Sequence, residues 1–278
     1  MAFLVACLIS FAGGALLGGR GDRPSDVPAR LLSASSPPWP TEISAPARVP
    51  PSERVPPSER VPSPVRVPPP ARVPTPALSM PGPVPTRAGG TFVYAAGTGR
   101  MLGRKGSVRR FHVAVERGSG EDVGAFAAEV EATLGDSRSW VGDGSFRLQR
   151  VPHAVRADFT VFLATRHAAE EMCAVGGADI KISERLYTSC RTAGRAIINL
   201  DRWRLSAPPY LAAKAPLKAY RQYVINHEVG HEFGHHHQGC PKSGGPAPVM
   251  MQQTLTLRGC KANPWPRVRN RELTGPSV

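Results

Sequence analysis

Between Pro24 and Thr86 stand 20 of the chain's 30 prolines. Proline lacks an amide hydrogen and has a fixed φ, so a stretch this dense builds neither a helix interior nor a sheet ladder. Within it Arg-Val-Pro recurs at Arg48, Arg54, Arg60, Arg66 and Arg72. Polyproline II has three residues per turn, so this spacing sets all five arginines along one edge of an extended, solvated spacer. A compact fold is thereby restricted to residues 88–278, ample for one hydrophobic core. Residues 23–87 are read as the linker, either a spacer that holds the domain away from a surface or a passive tether, and residues 1–22 as an apolar leader.

Ala2 to Gly19 is uncharged and apolar but for Ser10, and the first cation is Arg20 behind it. A secretory signal begins with positive charge, so the leader reads as a signal with an unusual start or as an anchor at the short end of spanning length. Four cysteines remain beyond Cys7: Cys173, Cys190, Cys240 and Cys260. No two are spaced as CxxC, which argues against a zinc cluster or a thioredoxin-like pair. An even set behind an apolar leader favours two disulfides and an extracellular or cell-surface location. Local loops close most readily, so Cys173–Cys190 and Cys240–Cys260 are the expected pairs, each stabilising by roughly 3 kcal/mol.

The formal charge of +14 raises the question of nucleic acid. The cations are scattered rather than striped and no nucleic-acid-binding pattern is present, so nucleic acid is not an expected partner. Attraction to an anionic cell envelope is the expectation instead, for a chain acting as a monomer.

Periodicity sketches an α+β domain. Arg109–Glu116 alternates like a strand, as do Phe146–Val151 and Asp158–Thr165. Ser119 to Asp122 resembles a capping box, followed by Val123, Phe126, Ala127, Val130 and Leu134 at helical spacing. Arg195–Trp203 is a further strand candidate, and Asp201 and Arg202 at its end could shape a substrate cleft. Pro216 opens a helix in which Leu217, Tyr220, Val224 and His227 share a face. Beyond His237 glycine, proline and cysteine dominate and predict a loop-rich tail.

The run HEVGHEFGHHH, from His227, carries the chemistry. His227 and His231 are four apart, so in a helix they project from one face about 6 Å apart along the axis, a spacing suited to two imidazoles on one zinc ion. Glu228, beside the first, can reach a zinc-bound water without itself taking a coordination site, as a general base should. A straight continuation would carry His237 about 9 Å past His231, too far for a shared ion. The chain must turn first, and Gly234 can adopt the positive φ that a turn needs. A competing geometry uses His235 as the third ligand, and an adventitious histidine tract is the bland alternative. The Glu, the Gly and the helical context favour the first.

These residues fit HExxHxxGxxH at every specified position, and the run resembles that of the metzincins, extracellular zinc endopeptidases. The resemblance implies a metzincin-like zincin fold, a twisted mixed sheet with an active-site helix and a loop-rich C-terminal part. It implies Zn²⁺ on His227, His231 and His237, Glu228 as catalytic base, and a protein or peptide substrate. It also implies a methionine turn, placed at Pro248-Val249-Met250-Met251 with Met250 as its residue and Met251 as the alternative. An extended peptide would be met by the edge of Arg195–Trp203. The wider stretch, including PVMMQQT and GCKANPWP, is similar to an uncharacterised secreted family of actinobacteria. A zinc-containing scaffold or envelope-binding protein without turnover is the other function class.

Overall fold

A computed structural model describes residues 75–278, and the leader and the Arg-Val-Pro repeats lie outside the described residues. In chain order the elements are β1 (Phe92–Tyr94), β2 (Ser107–Glu116), α1 (Val123–Leu134), β3 (Phe146–Arg150), β4 (Phe159–Ala164) and α2 (Arg166–Val175). A short hairpin β5 and β6 (Lys181–Ile182, Arg185–Leu186) leads to β7 (Cys190–Thr192) and β8 (Arg195–Asn199). Helices α3 (Leu200–Leu205), α4 (Pro208–Ala212) and α5 (Leu217–Glu232) follow, then a terminal hairpin β9 and β10 (Arg267–Val268, Arg271–Glu272). The domain is mixed α+β.

Six strands form the main sheet in the order β1-β2-β4-β8-β7, with β3 also on β2. β3 and β4 run parallel to β2, and β8 parallel to β4. β1 and β7 are antiparallel to their neighbours. Side chains alternate across the sheet. Phe111, Val113, Val115, Val161, Leu163 and Ile198 enter a core with Val130 and Leu134 of α1 and Tyr220 and Val224 of α5. Ala114, Phe162 and Ile197, from alternate positions, pack with Ala169 and Cys173 of α2 on the other face. Burial on both faces explains why β4 reads as a nearly continuous apolar run.

Several expectations change. The cap of α1 is Asp122 itself, whose Oδ1 accepts from the Ala125 amide at 2.7 Å. Ser119 stands three residues before that cap, where its hydroxyl accepts from the Glu121 amide instead. The strand expected over Arg195–Trp203 ends at Asn199. There the Asn199 side chain accepts from the Asp201 amide and starts α3, so Leu200 to Trp203 are helical. β8 is moreover an inner strand, and the free edge belongs to β7.

Contacts with the domain also begin ahead of residue 88. The Met80 amide donates to Arg204, the Leu217 amide to Ala77 and the His167 amide to Thr86, all onto backbone carbonyls. Arg204 reaches the carbonyls of Pro81 and Pro83. Both expected disulfides are present: Cys173–Cys190 ties α2 to β7, and Cys240–Cys260 closes the segment beyond His237. Among the described residues no helix is long and apolar enough to cross a membrane.

Candidate metal centre

α5 starts behind Pro216 and buries Leu217, Tyr220, Val224 and His227 as its spacing predicts. Its register is held from one side by Asn226. The Trp140 indole donates to the Asn226 carbonyl at 2.9 Å, Ser139 bonds the Asn226 side chain, and that side chain donates to the carbonyl of Pro264. The helix ends at Glu232 with Phe233 as its cap, and Gly234 just beyond has φ +88°. The His235 amide donates to Gly230 and the Gly234 amide to His231. This is the six-to-one and five-to-two bonding of a Schellman motif, and it reverses the chain within three residues.

That reversal brings His237 back to the helix. One ring nitrogen from each of His227, His231 and His237 lies within 4.8 Å of the others. His231 Nε2 and His237 Nε2 are 3.2 Å apart. Two nitrogens on one tetrahedral zinc, each at about 2.05 Å, would stand roughly 3.3 Å apart, so the spacing fits a shared ion. The other ring nitrogens of His227 and His231 are occupied. His227 Nδ1 donates to the Val249 carbonyl at 2.8 Å and His231 Nδ1 to the His235 carbonyl at 2.7 Å. A carbonyl only accepts, so these bonds put the proton on Nδ1 and leave Nε2 unprotonated for a metal.

Burial keeps the rings neutral. It holds His227 well below the ordinary imidazole range, with His231 and His237 adding to the effect, and it lowers His231 to about 4. His237 is also lowered, first by burial and then by His236. Burial pushes the Glu228 carboxyl up to about 8. A divalent cation beside the carboxyl would work against that shift by favouring the ionised form.

The three histidines and Glu228 open onto a cleft of about 330 Å³, walled by Ser189, Cys190 and Arg191 on one side and by Gln252, Thr254 and Leu255 on the other. β7 forms the first wall. Glu232 of α5 fixes it through Arg191 at 3.0 Å and through the Gly194 amide at 3.2 Å. The second wall follows Pro248–Met251. Met250 is buried under α5, where a methyl added at Gly230 would come within 2.6 Å of its sulfur and of Trp140. Met251 belongs to a separate cluster with Ala247 and Cys260. His235 lies outside the nitrogen cluster, stacked on Trp140 at 4.2 Å between ring centres.

The residue that holds the second wall carries no sequence signal. Gln253 is fully buried. It donates to the carbonyls of Pro248 and Asn263, and it accepts from Tyr210 and from the Asn263 amide. Trp140, Asn226 and Glu232 were equally silent, because each acts on an element distant in sequence.

No curated protein and no solved structure matches the chain. A family model of proteins of unknown function, DUF3152, matches residues 78–264, so its span covers the sheet, the histidine cluster and both disulfides, and begins with the segment that binds Arg204. The chain therefore belongs to the DUF3152 family of proteins of unknown function.

Proposed function

We propose that the chain is a secreted or cell-surface zinc-dependent endopeptidase of the metzincin type. The observation that carries this reading is the convergence of three imidazoles, with Nε2 free on His227 and His231, beside a buried carboxyl in an open cleft. Neutral imidazole is the donor zinc prefers, and three protein ligands leave one position for chemistry, whereas a structural site is closed by four. Zinc held there would polarise a carbonyl and acidify a water, the two functions that peptide hydrolysis needs.

The chain's own residues supply the rest. Glu228 adjoins the first ligand and lines the cleft, so as a carboxylate it can take a proton and return it to a leaving amine. The Val249 and His235 carbonyls hold two of the rings in the ligating tautomer. The free edge of β7, steadied by Glu232 and by Cys173–Cys190, offers backbone groups to an extended peptide. The basic surface favours an anionic envelope as the place of action.

Zinc content and cleavage of a broad peptide library, for wild type and Glu228→Ala, test the reading. One zinc per chain is expected in both, with cleavage by wild type alone. Full zinc occupancy without cleavage by wild type would sink the peptidase and leave a zinc-bearing scaffold.

A further inference from the structure

The segment from Arg185 to Arg191 borders two clefts. Thr188 to Arg191 face the histidines, and Arg185 to Tyr187 line a second cleft of about 430 Å³ between the start of α2 and α3. We propose that this second cleft is a carboxylate-binding subsite that makes the enzyme prefer acidic peptides, an inference that rests on the endopeptidase reading.

The cleft has three arginines, Arg166, Arg185 and Arg202, against Asp201 and Glu184. Asp201 binds Arg166 through Oδ2 at 2.9 Å, while its buried Oδ1 has no hydrogen-bond partner among the described residues. Arg202 is only 9% exposed, and its Nε has no hydrogen-bond partner among the described residues. The Arg166 Nε is likewise unpartnered. The Arg202 Nε itself is sealed from solvent, so the cleft offers a ligand the rest of a guanidinium whose buried charge is costly unless an anion counters it.

The shape selects a carboxylate. The Tyr187 ring lies 4.3 Å from the Arg202 guanidinium carbon and covers one face of it. The edge remains, and the edge is the side that pairs with a planar carboxylate through parallel bonds. The position also suits a substrate. An extended peptide advances about 3.3 Å per residue, and Tyr187 stands only three residues before β7 on the same segment. The carboxylate can come from an acidic side chain or from a peptide's C-terminus.

Fluorescent peptides paired as Glu or Gln at each position in turn, with free or amidated C-termini, would be measured for binding to zinc-loaded Glu228→Gln. Their cleavage by wild type would be measured in parallel. One carboxylate position should bind about tenfold more tightly than its uncharged twin, the low end for a charge-assisted bond. The side-chain and C-terminal pairs tell which source it is. In Arg202→Met the ratio should fall to about one. Should that variant not fold, Arg185→Gln, exposed at the rim, should reduce the ratio severalfold. Equal binding of every pair would overturn the subsite. Wild-type cleavage with no charge preference defeats the subsite and leaves the peptidase standing. Charge-selective binding without cleavage does the reverse.

Discussion

Single side chains in the candidate centre have separable duties. His237 presents its nitrogen to the cluster, while His235 contributes its backbone carbonyl and a stacked ring. His237→Ala is accordingly expected to weaken zinc binding by a hundredfold or more. His235→Ala, which keeps the carbonyl, should change it far less, and competition with a chromogenic chelator reads both. Strong loss in His235→Ala alone would reverse the assignment. Glu228 makes a further expectation at this scale. Its ordinary value is 4.5 and burial raises it to about 8. In chelator-treated protein the folded state therefore keeps a proton that the unfolded chain has lost. That contribution to stability is complete below about 4.5 and is lost as pH rises through about 8. Glu228→Gln cannot ionise, so its stability advantage over wild type in urea should grow across this interval and level off above it. The histidine shifts are common to both proteins and cancel. A difference that does not change with pH would count against the buried carboxyl.

At the scale of elements, α5 and the turn that ends it each hold a glycine, and the two are needed for opposite reasons. Gly234 has φ +88° and open space where a Cβ would be. Gly230 sits inside the helix, where a Cβ would strike the Met250 sulfur and Trp140. Gly234→Ala should cost about 1–2 kcal/mol from backbone conformation, and it should weaken zinc binding because His237 hangs from that turn. Gly230→Ala should cost about 1–3 kcal/mol from overpacking. Met250→Ala should relieve part of the Gly230→Ala cost and none of the Gly234→Ala cost. Urea denaturation of the single and double variants separates the two causes, and equal rescue by Met250→Ala would refute the distinction.

The whole molecule is larger than the domain that composition outlines. Residues 77–86 contribute three backbone hydrogen bonds and two from Arg204, and Val84 packs on the main core. At about 1 kcal/mol each, these bonds make a chain starting at residue 88 less stable than one starting at residue 75 by about 3–5 kcal/mol. Matched thermal or urea unfolding checks this, and indistinguishable curves would move the boundary back to residue 88. Proline density concealed this segment. Prolines bar it from helix and ladder, yet Pro81 and Pro83 still offer carbonyls, and Arg204 takes both.

What could be read from residues alone was whatever is encoded locally. The spacing of His227 and His231, the need for a turn at Gly234, the helix behind Pro216 and the alternation in β2 and β4 follow from helix and strand periodicity. The two disulfides were legible because short loops close most easily. Tertiary structure decided what depends on partners distant in the chain. Asn199 looked like one more strand residue until its side chain capped α3, and β8 looked like an edge until β7 folded back beside it. The carbonyls that set the His227 and His231 tautomers, the Gln253 bonds behind the cleft and the burial of Arg202 under Tyr187 have no local signature. Strand order and burial arise from contacts between segments, and periodicity within one segment carries no record of which neighbour it will meet.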